Sequence, residues 1–200
     1  MDRRRESRAI ILLAPILIAG LAIVVAVAGE SASQLMRYDR AAVLDGEVWR
    51  LLTGHWVHLG WLHLLFNIAG LVLVWLLLAT ALRSSQWLLL TLLIALGQST
   101  LLFALHPGIG WYVGLSGLLH GLFAAGAVVY LARVPAIAGT GLVLLGAKVA
   151  AETWGAASGE VTDWLGGPVL TESHRYGALC GALLSLPLAV RQFRRGNAHQ

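Results

Sequence analysis

Charge is scarce in this sequence: of 200 residues, 12% are Asp, Glu, Lys or Arg and 58% are hydrophobic, with a mean hydropathy of +0.77. That composition leaves too little polar surface for a water-soluble globule. Cysteine is almost missing as well. Cys180 stands alone, so no internal disulfide can form and the redox compartment stays open. No Pro- or Ser-rich linker divides the chain, no charge block lies outside the tails, and no period repeats. These absences predict a single domain over residues 1–200 with the lipid bilayer as its solvent.

Long apolar runs are what the chain does have. A helix needs roughly 17–25 such residues to cross a bilayer, and runs at 10–28, 63–82, 87–105, 116–131, 135–154 and 174–190 predict an all-α polytopic protein of six spans. The fourth is the shortest and follows a Gly-rich stretch. Net charge is +4, but the basic residues mark span ends rather than a nucleic-acid surface, so no nucleic-acid partner is expected. Arg3, Arg4, Arg5 and Arg8 precede the first run, Arg83 and Arg133 sit in the shortest connections, and Arg191, Arg194 and Arg195 follow the last. The positive-inside rule makes these cytoplasmic and puts both termini inside. Glu30, Asp39, Asp45, Glu47, Glu160, Asp163 and Glu172 fall in the connections this topology places outside. A cleaved signal peptide ending near Ala26-Val27-Ala28 is the rival reading of the first run, which is longer than the usual apolar region of about 7–15 residues.

Alternate spans run in the same direction, so the second, fourth and sixth all start at the outer side. His63 and Asn67 open the second, Ser116 the fourth and His174 the sixth, which brings polar groups from distant stretches to one depth. Such groups are costly in lipid, about 2.5–3.5 kcal/mol for a central charge on insertion scales, and face a protein interior or a wet cavity. Gly117 and Gly121 on the fourth span, and Gly177 and Gly181 on the sixth, have the small-residue spacing that lets helix backbones approach closely. If those faces pack, Ser116 and His174 come within hydrogen-bond reach, about 2.6–3.2 Å.

A serine hydroxyl needs a base to become a nucleophile, and imidazole titrates in the right range. The Asn67 amide, the His63 ring and backbone N–H groups at the start of the fourth helix are candidate oxyanion donors, each worth about 2.7–4 kcal/mol in the transition state. No carboxylate stands out as a partner for His174, so a dyad without an acid is expected. His120, four residues after Ser116, is a rival base; lying one turn deeper, about 5.4 Å along the axis, it is given a supporting place under the His174 ring. Lys148 and Glu152 are four apart on the fifth span and are expected to pair, with a Ser116–Lys148 dyad as the sharper alternative. A zinc site at His55, His58 and His63 is disfavoured because no Cys or acid completes a ligand set; His55 and His58, flanked by Trp56 and Trp61, fit the interfacial belt better. His106 is read into an outer loop and His199 into the tail. No metal or cofactor is expected.

Trp49-Arg50 in the first outer loop, His63-Leu64-Leu65-Phe66-Asn67, Gly114-Leu115-Ser116-Gly117 and Ser173-His174 followed by Gly177 and Gly181 together resemble the rhomboid intramembrane serine proteases, over nearly the whole chain and in order. The resemblance implies a rhomboid-like six-helix bundle with Ser116 as nucleophile and His174 as general base. It implies an oxyanion hole of His63, Asn67 and the Ser116 amide, and a Trp49-Arg50 pair bracing the first loop. Many rhomboids carry Tyr four residues after the serine, whereas this chain has His120. The pattern Gly114-x-Ser116-Gly117-x-x-His120-Gly121, with the compact length, is similar to the rhombosortases. That likeness implies a bacterial inner-membrane enzyme with its site near the periplasmic side. Its substrates would be transmembrane proteins with C-terminal sorting tails: a Gly-Gly motif, an apolar helix and a basic end. A general rhomboid protease with other substrates, and a non-catalytic rhomboid-like protein that binds helices, are the alternatives. A transporter is disfavoured by the lack of paired interrupted spans or internal symmetry. The outer segment from Gly155 to Ser173, with Gly166-Gly167-Pro168, is expected to act as a flexible cap.

Overall fold

In lipid every backbone amide must be satisfied within its own segment, so apolar runs become helices. The computed structural model describes residues 8–155, 167 and 169–197, and each apolar run is helical there. A short turn α1 (Arg8–Ile11) leads into α2 (Leu13–Ala28), which stops at Gly29, where φ is +82°. The first loop holds α3 (Glu30–Met36), α4 (Arg40–Leu44), α5 (Arg50–Thr53) and a 3-10 turn at Gly54–Trp56. Then come α6 (Trp61–Leu78), α7 (Ser84–Leu105), α8 (Ser116–Tyr130), α9 (Pro135–Thr153) and α10 (Thr171–Asn197). The strands among the described residues are β1 (Tyr38–Asp39) and β2 (Trp111–Tyr112), which form an antiparallel bridge with Tyr38 facing Tyr112. It ties the first loop to the segment before α8.

Three helical stretches, Trp61–Ala81, Ser84–Leu105 and Pro135–Thr153, are long and apolar enough to cross a membrane. Helices α2 and α8 are apolar but shorter, and α10 carries basic residues in its last turn. At 1.5 Å per residue, the 15 residues of α8 extend about 22 Å, less than the hydrocarbon thickness of about 30 Å. The expected cap, Gly155 to Ser173, lies for the most part outside the described residues, as do Arg3, Arg4, Arg5, Glu160, Asp163 and His199.

Helix α8 is the hub, packed on α6, α7, α9 and α10. Its buried residues are mostly small: Gly117, Gly121, Ala124, Ala125, Gly126 and Ala127 among leucines and valines. Against α10 the approach is backbone to backbone. A Cβ on Gly177 would sit inside the van der Waals envelope of the Gly117 carbonyl, and one on Gly181 inside that of Gly121. The α6 face turned inward reads His63, Asn67, Leu71, Val74 and Leu78, a three-to-four spacing that puts two polar groups at its N-terminal end. Helix α9 differs from the other long helices, with Ala138 as its one buried residue. Large apolar side chains such as Leu76, Ile137 and Val143 face outward, as a lipid solvent requires.

Candidate active site

The first loop is held by Arg50. Its guanidinium donates from Nη1 to the carbonyls of Gln34 (2.6 Å) and Arg37 (3.0 Å) and from Nε to Glu47 (2.6 Å). Trp49 is exposed, its indole N–H reaching the Leu35 carbonyl at 3.4 Å. A buried charge is stable only when it is paired and hydrogen-bonded, so Arg50 ties Gln34, Arg37 and Glu47 together and fixes the fold of the loop.

Ser116 owes its position to the strand-like segment before it. Tyr112 donates its hydroxyl to the Gly114 carbonyl at 2.5 Å, and the Gly114 N–H donates to the Gly54 carbonyl at 3.2 Å. Gly114 has φ +118°, a region that suits glycine. A Cβ there would also meet the His63 ring at 2.9 Å. The Tyr112 hydroxyl accepts from Gln98 Nε2 at 3.1 Å and lies 3.3 Å from His55 Nδ1. Burial pushes His55 down to about 4, so it is neutral at physiological pH. It bonds Ala95 and Ser99 on α7 at 2.9 and 3.0 Å.

His174 lies in the first turn of α10, in register with the glycine crossing. Its Nε2 is 2.9 Å from Ser116 Oγ, and its Nδ1 is 2.8 Å from Glu152 Oε2. The expectation that no acid partners His174 is therefore corrected. Glu152 reaches in from α9, and its side chain is only 10% exposed. Its other oxygen, Oε1, pairs with Lys148 as expected. Lys148 is thus engaged with Glu152, while the Ser116 hydroxyl has His174 as its partner.

Hydrogen-bond partners decide the tautomers. A carboxylate only accepts, so the proton of neutral His174 sits on Nδ1 and its Nε2 lone pair faces the hydroxyl. His120 Nδ1 donates to the Ser116 carbonyl at 2.7 Å, and its ring stacks on His174 with centroids 4.2 Å apart and planes within 10°. His120 therefore touches the serine backbone rather than its hydroxyl. His63 Nδ1 accepts from the Leu59 N–H at 3.3 Å, which leaves the proton on Nε2, on the ring edge beside Gly114. Asn67 donates one amide proton to the His63 carbonyl at 3.0 Å and keeps a second. The first N–H groups of α8, Ser116 included, have no partner within the helix.

His120, Glu152 and His174 hold ligand-capable atoms within 4.8 Å of one another. Parallel stacked rings cannot turn two in-plane lone pairs toward one ion, and both Nδ1 atoms are already engaged in hydrogen bonds. Of the three histidines weighed for zinc, His55 turns to α7, away from the edge-to-face pair of His58 and His63. Two residues of the site were missed from the sequence. For Glu152 a signal existed: an acid within an apolar run has to find an inward partner. Tyr112 carried none, since its role depends on which carbonyl the loop brings to it.

No curated protein matches the chain. The Rhomboid domain model matches residues 45–191, a stretch that runs from the first loop into α10 and holds Ser116, His174, His63 and Asn67. On that match the chain belongs to the rhomboid family, whose members are generally intramembrane serine proteases.

Proposed function

We propose that this protein is an intramembrane serine endopeptidase of six spans, both termini cytoplasmic, with Ser116 as nucleophile and His174 as general base. The observation that carries the reading is the 2.9 Å contact between Ser116 Oγ and an imidazole nitrogen whose lone pair is free to accept. Ser116 Oγ attacks the scissile carbonyl while its proton passes to His174 Nε2. That proton then goes to the leaving amine, and water resolves the acyl-enzyme by the same route reversed. His63 Nε2–H, the second Asn67 amide proton and the Ser116 N–H are the oxyanion donors. They are supported by the Nδ1 hydrogen bond of His63 and by the glycine at 114 that lets the ring approach.

The substrate class is the C-terminal sorting tail of exported bacterial proteins, with cleavage near the periplasmic face of the inner membrane. Support for this finer reading is the Gly-x-Ser-Gly-x-x-His-Gly pattern and the stack of His120 on His174. Co-expression with a protein bearing a Gly-Gly-type tail tests both levels. A shortened product is expected with wild type and none with Ser116→Ala. A product from another transmembrane substrate alone would reject the sorting reading. Failure of a fluorophosphonate to label Ser116 in folded protein would favour a non-catalytic helix binder.

A further inference from the structure

An ionised carboxylate among apolar helices is destabilising unless it is paired, and Glu152 divides its two oxygens between two partners. Lys148, half exposed, takes Oε1; His174, buried, offers its Nδ1–H to Oε2. Neutral imidazole has two tautomers, and only the one protonated on Nδ1 can accept a proton from Ser116. A carboxylate at Nδ1 selects that tautomer, and with the His120 stack on the ring face it fixes the ring plane as well.

We propose that Glu152 is a positioning residue that completes a hydroxyl–imidazole–carboxylate chain, Ser116–His174–Glu152, and that α9 delivers it, so His174 is a competent base only while α9 is docked. This rests on the protease reading of Ser116 and His174. In the chemical step the Ser116 proton moves to His174 Nε2. The Nδ1 proton stays on the ring, and Glu152 stays ionised against the new imidazolium. No proton reaches the carboxylate. The link to docking follows from how α9 is held. It buries Ala138 near its inner start and meets Phe123 of α8 at Gly141, while its outer end reaches the site through Glu152. If that end moves away from α10, the tautomer preference goes with it.

The test uses the full-length protein in lipid nanodiscs and the rate at which a fluorophosphonate labels Ser116, a readout that needs no substrate. Glu152→Gln is expected to slow labelling on the order of 10²- to 10⁴-fold, because an amide turns its NH2 toward Nδ1 and favours the wrong tautomer. Glu152→Asp, which keeps the charge on a shorter arm, is expected to retain more of the rate than Glu152→Gln. Nitrogen NMR of histidine-labelled protein should show Nδ1–H and bare Nε2 at His174 in wild type, and a mixture in Glu152→Gln. An unchanged labelling rate, or an unchanged tautomer, in Glu152→Gln would overturn the proposal. If that variant fails to fold, the same comparison is read from Glu152→Asp. If wild type does not label, the protease reading fails and the tautomer measurement decides the role of Glu152 by itself. The α9 link has its own arm: Ala138→Leu, which levers α9 from α8 far from the site, should slow labelling in wild type and add little in the Glu152→Gln background. Additive losses would break the link.

Discussion

The α8–α10 crossing and the seat of α9 on the same bundle are built in opposite ways. At the crossing, Gly117 and Gly121 meet Gly177 and Gly181 so closely that no side chain fits between the backbones. Along α9, Ala138 alone is buried, while Ile137 and Val143 are 75% and 71% exposed. The crossing carries Ser116 and His174, one at the head of each helix. Their hydroxyl-to-imidazole distance is therefore set by the part of the molecule least able to deform, where a functional pair is best placed. The third group, Glu152, rides on a long helix with far less buried surface than either α8 or α10. Geometry is entrusted to contact between backbones, and the acid to a helix that buries one residue against the bundle.

The largest effect that would break this contrast is at Gly181. A methyl there has to displace the Gly121 carbonyl, which separates the two helices and cannot be relieved by a side-chain rotation. Gly181→Ala is expected to destabilise the protein at the upper end of the roughly 1–3 kcal/mol typical of overpacking, or beyond it. Fluorophosphonate labelling should fall in parallel, because Ser116 and His174 move apart. Unfolding in a denaturing-detergent titration measures the first effect and labelling the second. Wild-type stability in this variant would mean that the crossing is not the rigid element.

A smaller effect is expected at Tyr112, which braces the same rigid region from the loop side. Removing its hydroxyl leaves the buried Gly114 carbonyl without that donor and Gln98 Nε2 without that acceptor, and the Gln98 Oε1 atom is already unpartnered. The cost of stranding such groups is about 1–3 kcal/mol. Tyr112→Phe should lower kcat more than it raises KM, since it loosens Gly114 between Ser116 and His63 rather than a surface that binds substrate. A pure KM effect would place Tyr112 with the substrate instead.

What was legible in the sequence was whatever lipid enforces locally. Apolar runs had to become helices, and the positions of His63, Asn67, Ser116 and His174 at run ends followed from direction alone. The glycine spacing at 117, 121, 177 and 181 reads as close approach because little else lets backbones touch in a medium without a hydrophobic drive. Membrane crossing was less legible helix by helix: α8 and α2 are short, and α10 mixes an apolar stretch with a basic end. Glu152 was hidden by its neighbour, since Lys148 at four residues' distance accounts for one carboxylate oxygen and conceals that the other is committed elsewhere. The Tyr112 clamp was invisible because it depends on a two-residue bridge to Tyr38, a pairing of loops that no periodicity announces.

The smallest expected effect sharpens the comparison from the other side. Gly146 lies on the exposed part of α9, and a Cβ there meets nothing within 4 Å. Glycine inside an exposed helix is worse than alanine by about 0.8–1.0 kcal/mol in water, so Gly146→Ala should leave stability unchanged or raise it by at most about that amount. Labelling of Ser116 should stay at the wild-type rate, because the added methyl neither lifts α9 from α8 nor touches Glu152, which lies six positions further along the helix. The same glycine-to-alanine change thus has opposite signs on α10 and on α9. A loss at Gly146 comparable to that at Gly181 would show that α9 is seated as tightly as the crossing, and a loosely held acid could then no longer tune the base.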